Sequence, residues 1–295
     1  MNRNAVAYLG TGLLGAGMVE AMLGRGVTVS VWNRSREKGE RLAALGARVC
    51  ETPAEAARGA DRVHLCLAAD DAVDAVLDAL FAGTAGVPTM PIIDHSTCSP
   101  AGVAARAARL GAMGVRFLHA PVFMSPQNAR DKAGTILVSG DAELLADVRP
   151  ALEAMASKVL FAGERPDAAA SLKLLGNALG IGLVAVLADI LTLSRALDLP
   201  YATLSGLLDT FNPMAAARAR LDRMDRGEFA PSFTLEMARK DVGLMLTAGG
   251  ERDLPVLATI AAQMDESLAA GHAHEDYAVF GDPRVRTPGE ADGEG

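Results

Sequence analysis

The chain has 295 residues, of which 50% are hydrophobic and 22% are charged. This composition is typical of globular proteins, and the length is enough for two domains of ordinary size. The formal net charge of −8 repels nucleic acid and anionic lipid, so the sequence predicts neither as a partner.

The three cysteines, Cys50, Cys66 and Cys98, are odd in number and scattered along the chain. This spacing argues against a disulfide framework and a zinc site, so we expect no metal and a cytoplasmic location. The first residues lack an apolar segment followed by a cleavage site, so no signal peptide is predicted.

The first half of the chain alternates short apolar runs with amphipathic stretches. Strands are predicted at 5–9, 27–32, 48–50, 63–67, 91–94, 116–121, 135–139 and 158–161. Helices are predicted at 14–25, 37–45, 71–81, 100–113 and 142–156. This alternation predicts an α/β fold with a doubly wound parallel sheet, covered by helices on both faces.

After residue 163 the pattern is helical, with helices predicted at 168–197, 201–208, 214–224, 235–248 and 256–270. Gly, Pro and charged residues cluster at 163–167, where a domain boundary is expected. We therefore predict a sheet domain at 1–165, an all-α C-terminal domain at 166–280 and a flexible tail at 281–295.

A glycine-rich turn joins the first predicted strand to the first predicted helix: Gly10-Thr11-Gly12-Leu13-Leu14-Gly15. The turn matches G-x-G-x-x-G, and its position between a strand and a helix is that of a Rossmann dinucleotide site. In this motif Gly10 permits the tight turn, Gly12 lets the pyrophosphate approach, and Gly15 lets the helix pack on its strand. All six residues are assigned to cofactor binding, and the alternative is a turn that binds nothing.

The end of the second strand decides between NAD and NADP. NAD sites usually place Asp or Glu there to bind the ribose 2′-hydroxyl, whereas this chain has Asn33, Arg34 and Ser35. The Arg34 guanidinium suits a 2′-phosphate, and its two neighbours offer further donors. We therefore expect NADP(H) to be preferred over NAD(H), and the alternative is that Arg34 is a solvated turn residue.

The segment 174–193 is long and apolar enough to span a bilayer. It contains Asn177 and Asp189 and lacks a basic flank, so we interpret it as a helix buried in the protein. It is also too apolar for one small domain to cover, which predicts a homodimer or homotetramer built through the C-terminal helices.

Lys173 and Asn177 are four residues apart and share one face of this helix. A lysine on an apolar helix is either functional or extends its ammonium to solvent. Beside a nicotinamide it could move the proton that accompanies hydride transfer. The spacing leaves both alternatives open.

Several motifs together resemble the β-hydroxyacid dehydrogenases, which include 3-hydroxyisobutyrate dehydrogenase and the tartronate semialdehyde and glyoxylate/succinic semialdehyde reductases. The resemblance covers roughly positions 5–270. It is carried by the glycine motif running into Gly17-Met18, and by Asp94-His95-Ser96-Thr97, Ala120-Pro121-Val122, Gly134-Thr135, Lys173-Leu174-Leu175-Gly176-Asn177 and Lys240-Asp241-Val242.

The resemblance implies roles for residues across both predicted domains. It implies that Lys173 is the general acid/base and that Asn177 adjoins it in the substrate site. The remaining implied roles belong to cofactor binding. Ser96 or Thr97 would lie near the nicotinamide ribose, and Leu67 and Ala68 would line the cofactor cleft. Lys240 would approach the site from the C-terminal domain.

The chain departs from the family in the segment predicted to bind substrate, Pro121-Val122-Phe123-Met124-Ser125. The family usually has Ser-Gly-Gly after Pro-Val, and these residues grip the substrate carboxylate. Phe123 and Met124 offer neither the hydroxyl nor the open backbone, so a bulkier or less polar substrate is expected.

The sequence thus predicts an NADPH-preferring oxidoreductase that reduces an aldehyde or ketone or oxidises the corresponding hydroxy compound. An imine reductase is one alternative, although the related imine reductases usually replace the lysine at position 173 by Asp or Tyr. An alternative of another class is a non-catalytic NADPH-binding sensor or scaffold.

Overall fold

The computed structural model of the chain describes residues 5–83 and 89–283. The chain divides into two compact units, Met1–Ala178 and Leu179–Gly295. This division falls inside one long helix, Ala168–Ala196, so the boundary predicted between 165 and 166 stays a prediction. Most of the tail predicted at 281–295 lies outside the described residues.

The first unit contains one sheet. Its strands are β1 (Ala5–Leu9), β2 (Thr28–Trp32), β3 (Arg48–Val49), β4 (Arg62–Leu65), β5 (Ile92–Asp94), β6 (Phe117–His119), β7 (Val122–Phe123), β8 (Thr135–Gly140) and β9 (Lys158–Phe161). Their spatial order is β3-β2-β1-β4-β5-β6-β8-β7, with β9 also paired to β8. Neighbours from β3 to β6 are all parallel.

Pairing at one end of the sheet differs from the expected parallel arrangement. Strand β8 is antiparallel to both β6 and β7. The sequence predicted a strand at 116–121 but not the short strand β7 that follows it. Only a short segment with a five-residue helix, Pro126–Arg130, connects β7 to β8. A parallel crossover needs a dozen residues or more, so this short connection turns the chain back on itself.

Helices cover both faces of the sheet. They are α1 (Leu13–Gly24), α2 (Arg36–Ala43), α3 (Pro53–Ala57), α4 (Asp70–Ala82), α5 (Pro100–Ala112), α6 (Pro126–Arg130) and α7 (Ala142–Glu153). Along β1, Val6 and Tyr8 join one buried cluster while Ala7 and Leu9 join the other. A strand with both faces buried is what a doubly wound sheet requires, and the predicted fold class is confirmed.

The rest of the described chain is helical, as predicted. The helices are α8 (Ala168–Ala196), α9 (Tyr201–Thr210), α10 (Met214–Arg226), α11 (Leu235–Gly249) and α12 (Pro255–Ala269), followed by a 3₁₀ helix, Tyr277–Gly281. The core of the second unit contains Leu235 and Val242 of α11, Met264 of α12, and Val279.

The expectation that α8 is buried is wrong for the single chain. Leu175, Ile181 and Val184 are 66%, 71% and 67% exposed, so the described residues of the chain leave this apolar face uncovered. The helix is long and apolar enough to cross a bilayer, with a mean hydropathy of 2.1. However, its Asp189 is buried and accepts a hydrogen bond from the Leu257 N–H at 2.9 Å, a packing contact typical of a globular protein.

Candidate cofactor and substrate site

The three motif glycines of the β1–α1 turn have different surroundings, which show why each position is a glycine. Gly10 has φ +105°, and a Cβ there would lie 2.3 Å from the Cys66 carbonyl oxygen. A Cβ on Gly15 would lie 2.1 Å from the carbonyl oxygen of Gly10. A Cβ on Gly12 would meet nothing within 4 Å. The fold itself therefore requires Gly10 and Gly15, whereas Gly12 leaves open space of the kind a bound phosphate would use.

Polar groups at this turn lack partners within the protein. Gly12 is the N-cap of α1 and provides no side-chain cap, so the N–H groups of the first turn remain available. The buried hydroxyl of Thr11 has no hydrogen-bond partner among the described residues. Leu13, at the start of α1, is 83% exposed, while Leu14 packs against the core. Free donors at a helix N-terminus fit a dinucleotide pyrophosphate.

A cleft of about 310 Å³ adjoins this turn. Its lining includes Trp32, Asn33, Arg34 and Ser35 after β2, Lys38 of α2, and Leu67 and Ala68 after β4. Neither Arg34 nor Lys38 forms an ion pair with any described residue. Sequence reading missed Lys38, although its position four residues after Arg34 was a usable signal. Two unpaired cations at one cleft favour an anionic group there.

Asn33 connects the two loops of the cleft. Its Oδ1 accepts a hydrogen bond from the Thr11 N–H at 2.9 Å, and its Nδ2 donates to the Ser35 carbonyl at 3.0 Å. The side chain thus holds the glycine turn against the end of β2. Asn33 was predicted to donate to a phosphate; one of its two amide N–H groups donates to Ser35, and the phosphate contact stays a prediction.

Ser96 is buried behind the cleft rather than facing it. Its hydroxyl accepts a hydrogen bond from the Leu67 N–H at 2.9 Å, and its own N–H donates to Asp94 Oδ1 at 2.9 Å. Thr97 beside it is exposed. Ser96 therefore fixes the loop after β4 that lines the cleft, and the implied contact of Ser96 or Thr97 with a ribose stays a prediction.

Lys173 lies over an aromatic ring. Its ammonium nitrogen is 4.2 Å from the centroid of Phe123, and burial lowers the pKa of this lysine from its ordinary value of 10.5. A Cβ on Gly176 would lie 2.3 Å from the tip of the same ring. Asn177, the next residue of α8, is half-buried. The structure therefore brings Lys173 together with Phe123 of the predicted substrate segment.

The other residues of that segment are occupied by the fold. The Pro121 carbonyl accepts from the Leu137 N–H at 2.9 Å, Val122 pairs with Ile136, and Met124 packs against the core. The Ser125 hydroxyl accepts from the Asn128 N–H at 3.1 Å as the N-cap of α6. The segment therefore offers mainly the Phe123 ring and little polar capacity.

Lys240 lies in α11 of the second unit. Its ammonium pairs with the adjacent Asp241 carboxylate at 2.9 Å. The implied approach of Lys240 to the cofactor site stays a prediction.

Two buried histidines form a chain of hydrogen bonds that sequence reading missed. His64 Nδ1 lies 2.8 Å from His95 Nε2, and His95 Nδ1 lies 2.7 Å from the Ala120 carbonyl oxygen. Arg62 Nε donates to His64 Nε2 at 3.1 Å, and the Tyr8 ring stacks on His64. These contacts join residues of β1 and β4 with the residues that directly follow β5 and β6, and no local pattern in the sequence indicates them.

Residues 5–163 match the family described as the NAD binding domain of 6-phosphogluconate dehydrogenase. The chain is 33% identical over 267 residues to the cytokine-like nuclear factor N-PAC of Xenopus tropicalis. The matched region covers 87% of this chain and 48% of that protein. It is 27% identical to the 3-sulfolactaldehyde reductase of Escherichia coli, with 94% of each chain covered. The chain thus spans about half the length of its N-PAC relatives.

Solved structures share this fold. An imine reductase from Myxococcus stipitatus in complex with NADP+ superposes with a TM-score of 0.85 at 22% identity, covering 96% of this chain and 100% of the other. Its V8 variant in complex with NAD+ gives a TM-score of 0.86 at 21% identity, covering 97% and 100%. At such low identity the likeness establishes the fold only.

The histidine chain predicts a loss of stability in mild acid. Burial lowers the pKa of His64 well below 6.5, with His95 and Arg62 adding to the effect, and burial also lowers the pKa of His95. Below pH 6.5 the unfolded chain binds protons at these positions while the folded chain does not. The free energy of unfolding should therefore fall as the pH falls below 6.5, by at most about 1.4 kcal/mol per pH unit for each histidine.

Urea denaturation between pH 7 and pH 5 measures this slope. Above pH 6.5 neither state is protonated at these positions and their contribution is constant. The His64→Asn variant should show a shallower dependence, because one of the two groups is gone. Equal slopes for the wild type and the variant would contradict the assignment.

Proposed function

The chain belongs to the β-hydroxyacid dehydrogenase family, with an NAD binding domain of the 6-phosphogluconate dehydrogenase type, and on that premise we propose that it is an NADPH-preferring oxidoreductase. It reduces an aldehyde or ketone, or oxidises the corresponding hydroxy compound, in a reducing cytoplasm. The observation that carries this proposal is the half-buried Lys173 ammonium, which has no carboxylate partner among the described residues of its unit.

Lys173 is suited to move a proton at the substrate oxygen. A nicotinamide cofactor, when bound, would supply a hydride for the carbonyl carbon, and negative charge would then develop on the substrate oxygen. A lysine whose pKa is lowered by burial donates a proton to that oxygen more readily than an exposed lysine. Asn177, one turn along α8, offers an amide N–H to orient the same oxygen. In the oxidative direction neutral Lys173 accepts the hydroxyl proton.

The cofactor side of the proposal is supported by Gly12, Thr11 and the two unpaired cations. The open space at Gly12 and the available N–H groups of α1 would hold the pyrophosphate. Arg34 and Lys38 would hold a 2′-phosphate at the cleft after β2. The absence of a carboxylate at the end of β2 removes the repulsion that an NAD site would present.

Two other functions have specific support. Imine reductases share the fold, but this chain keeps Lys173, which suits carbonyl chemistry; faster turnover of cyclic imines than of aldehydes would favour that alternative. The N-PAC relatives are named as nuclear factors, which favours a non-catalytic NADPH-binding protein. Tight NADPH binding without turnover of any carbonyl in a broad panel would support it.

The first test concerns cofactor preference. Replacing Arg34 by Ala should raise the NADPH KM by about ten- to a hundredfold, the effect of losing a charge-assisted hydrogen bond to phosphate. The KM for NADH should change little, because NADH has no 2′-phosphate. Arg36→Ala is the matched control, since the Arg36 guanidinium is already paired with Glu40. Equal use of both cofactors by the wild type would refute the preference.

The second test concerns the proton. The Lys173→Met variant should bind NADPH normally and lose kcat by about 10²–10⁴-fold, as expected for a general acid/base. Lys158→Met, at an exposed lysine of β9 in the same unit, is the control and should keep full activity. Retention of more than about a tenth of the wild-type kcat in Lys173→Met would remove this role from the lysine.

The third test concerns substrate polarity. A carboxylate beside Phe123 would lose hydration without gaining donors, so we expect poor turnover of 3-hydroxyisobutyrate, glyoxylate and succinic semialdehyde. Larger and less charged aldehydes or ketones should react faster. The alternative is that Arg130, Lys132 or Lys240 supplies the missing donors, although the Arg130 guanidinium is paired with the Glu20 carboxylate at 2.5 Å and the Lys240 ammonium with Asp241 at 2.9 Å.

The measurement compares kcat/KM for a free acid and its methyl ester. The Phe123→Ser, Met124→Gly double variant should shift the preference toward the acid. A wild type that prefers the acid by tenfold or more, about 1.4 kcal/mol, would show that the pocket is not apolar.

The proposed enzyme is a homodimer, or a dimer of dimers, built through the C-terminal helices. The exposed apolar face of α8 supports this, since burying each large side chain contributes about 1.5–3 kcal/mol and two-fold symmetry counts each contact twice.

Light scattering at micromolar concentration should give at least twice the chain mass of 30.5 kDa. The Ile181→Glu, Val184→Glu variant should be monomeric, because both side chains lie on the exposed face. Leu45→Glu, at an exposed leucine of the first unit, is the control and should leave the mass unchanged. A monomeric wild type would exclude this assembly.

A further inference from the structure

The buried hydrogen bonds through His64 and His95 allow only one assignment of donors and acceptors. The Ala120 carbonyl oxygen only accepts, so His95 Nδ1, 2.7 Å away, carries the proton. In the neutral ring His95 Nε2 then accepts, so His64 Nδ1 donates to it across 2.8 Å. His64 Nε2 is left to accept from Arg62 Nε at 3.1 Å. Each imidazole thus fixes the tautomer of the next.

The last acceptor in this series of hydrogen bonds is the Ala120 carbonyl oxygen, which lies just before the predicted substrate segment. The Ala120 N–H donates to the Asp94 carbonyl at 2.7 Å, and its carbonyl accepts from His95. Both backbone polar groups of Ala120 are therefore held by two consecutive residues, Asp94 at the end of β5 and His95 directly after it. Three residues later Phe123 places its ring beneath Lys173.

The position of the Phe123 ring is narrowly limited. On one side Gly176 leaves room for the ring only because it has no side chain. On the backbone side, Gly134 (φ +87°) lies so close that a Cβ there would approach the Phe123 carbonyl oxygen to 2.6 Å. A shift of the 120–123 backbone by a fraction of an ångström would therefore move the ring against α8 or away from Lys173.

We propose that His95 is a positioning residue of the substrate site, and that His64 acts through it. His95 holds the Ala120 carbonyl so that Phe123 stays beneath the Lys173 ammonium, and His64 keeps His95 in the tautomer that can donate. The inference deepens the proposed function and rests on it for its kinetic consequence, whereas its structural consequence is independent of catalysis.

Hydrogen exchange and kinetics together test this role. In His95→Ala, amide exchange in the peptide spanning 120–125 should rise about tenfold, since one buried hydrogen bond is lost. The kcat for carbonyl reduction should fall about tenfold as Lys173 loses its alignment, while the Kd for NADPH changes less than about twofold. His95→Asn should restore both quantities to within about threefold, because its amide Nδ2–H can replace the Nδ1–H donor.

His119→Ala is the matched control. His119 is an equally buried histidine on strand β6; its Nδ1 lies 3.6 Å from Asp94 Oδ2, and neither ring nitrogen forms a hydrogen bond with the Ala120 carbonyl or another described residue. The control should lower the melting temperature without raising exchange in 120–125. If His95→Ala does not fold, His64→Ala replaces it, with the same rise in exchange expected because His95 can then adopt the wrong tautomer.

The outcomes separate the inference from the proposed function. Unchanged exchange in the alanine variants, equal exchange in the His119 control, or no recovery in His95→Asn would each overturn the positioning role. A wild type that turns over no carbonyl would overturn the proposed function, while the exchange result would still decide the role of His95.

Discussion

The contact between the Phe123 ring and Gly176 of α8 is the constraint on which the candidate substrate site depends. Gly176 has no side chain, and the ring fills the space where a Cβ would lie. This contact brings β7 against α8 and places an aromatic face under Lys173. The ring faces the ammonium with its negative π surface, while the same burial removes water and lowers the pKa of the lysine. One packing contact thus places the ring beneath the ammonium and adds to the burial that lowers the pKa of Lys173.

In the glycine turn of the same unit, some residues are required by the fold and others would serve a bound ligand. Gly10 and Gly15 are required by close backbone approaches, and any protein with this strand–turn–helix geometry would need them. No close contact within the protein requires glycine at position 12, and the buried Thr11 hydroxyl has no hydrogen-bond partner among the described residues. A bound phosphate would account for both features.

Local patterns in the sequence predicted the fold well. The first strand was predicted with its observed bounds, and the first helix was predicted within one residue of α1, since periodicity and the glycine turn act over neighbouring residues. The glycine motif, Arg34 and Lys173 were also identified from the sequence. The His64–His95 chain depends on distant residues and was missed, whereas the antiparallel β8 was missed because the short strand β7 before it was not predicted. Ser125 forms a capping box with Asn128, a local pattern that the sequence contains, and its contact with substrate stays a prediction.

The Phe123–Gly176 contact also bears on how such a site can arise. With alanine at position 176, the ring would have to leave its place beneath Lys173, because the new methyl group would occupy the position of its tip. Positions 123 and 176 are therefore coupled: an aromatic ring can lie beneath Lys173 only while position 176 has no side chain, and a small residue at 123 would remove that restriction on position 176.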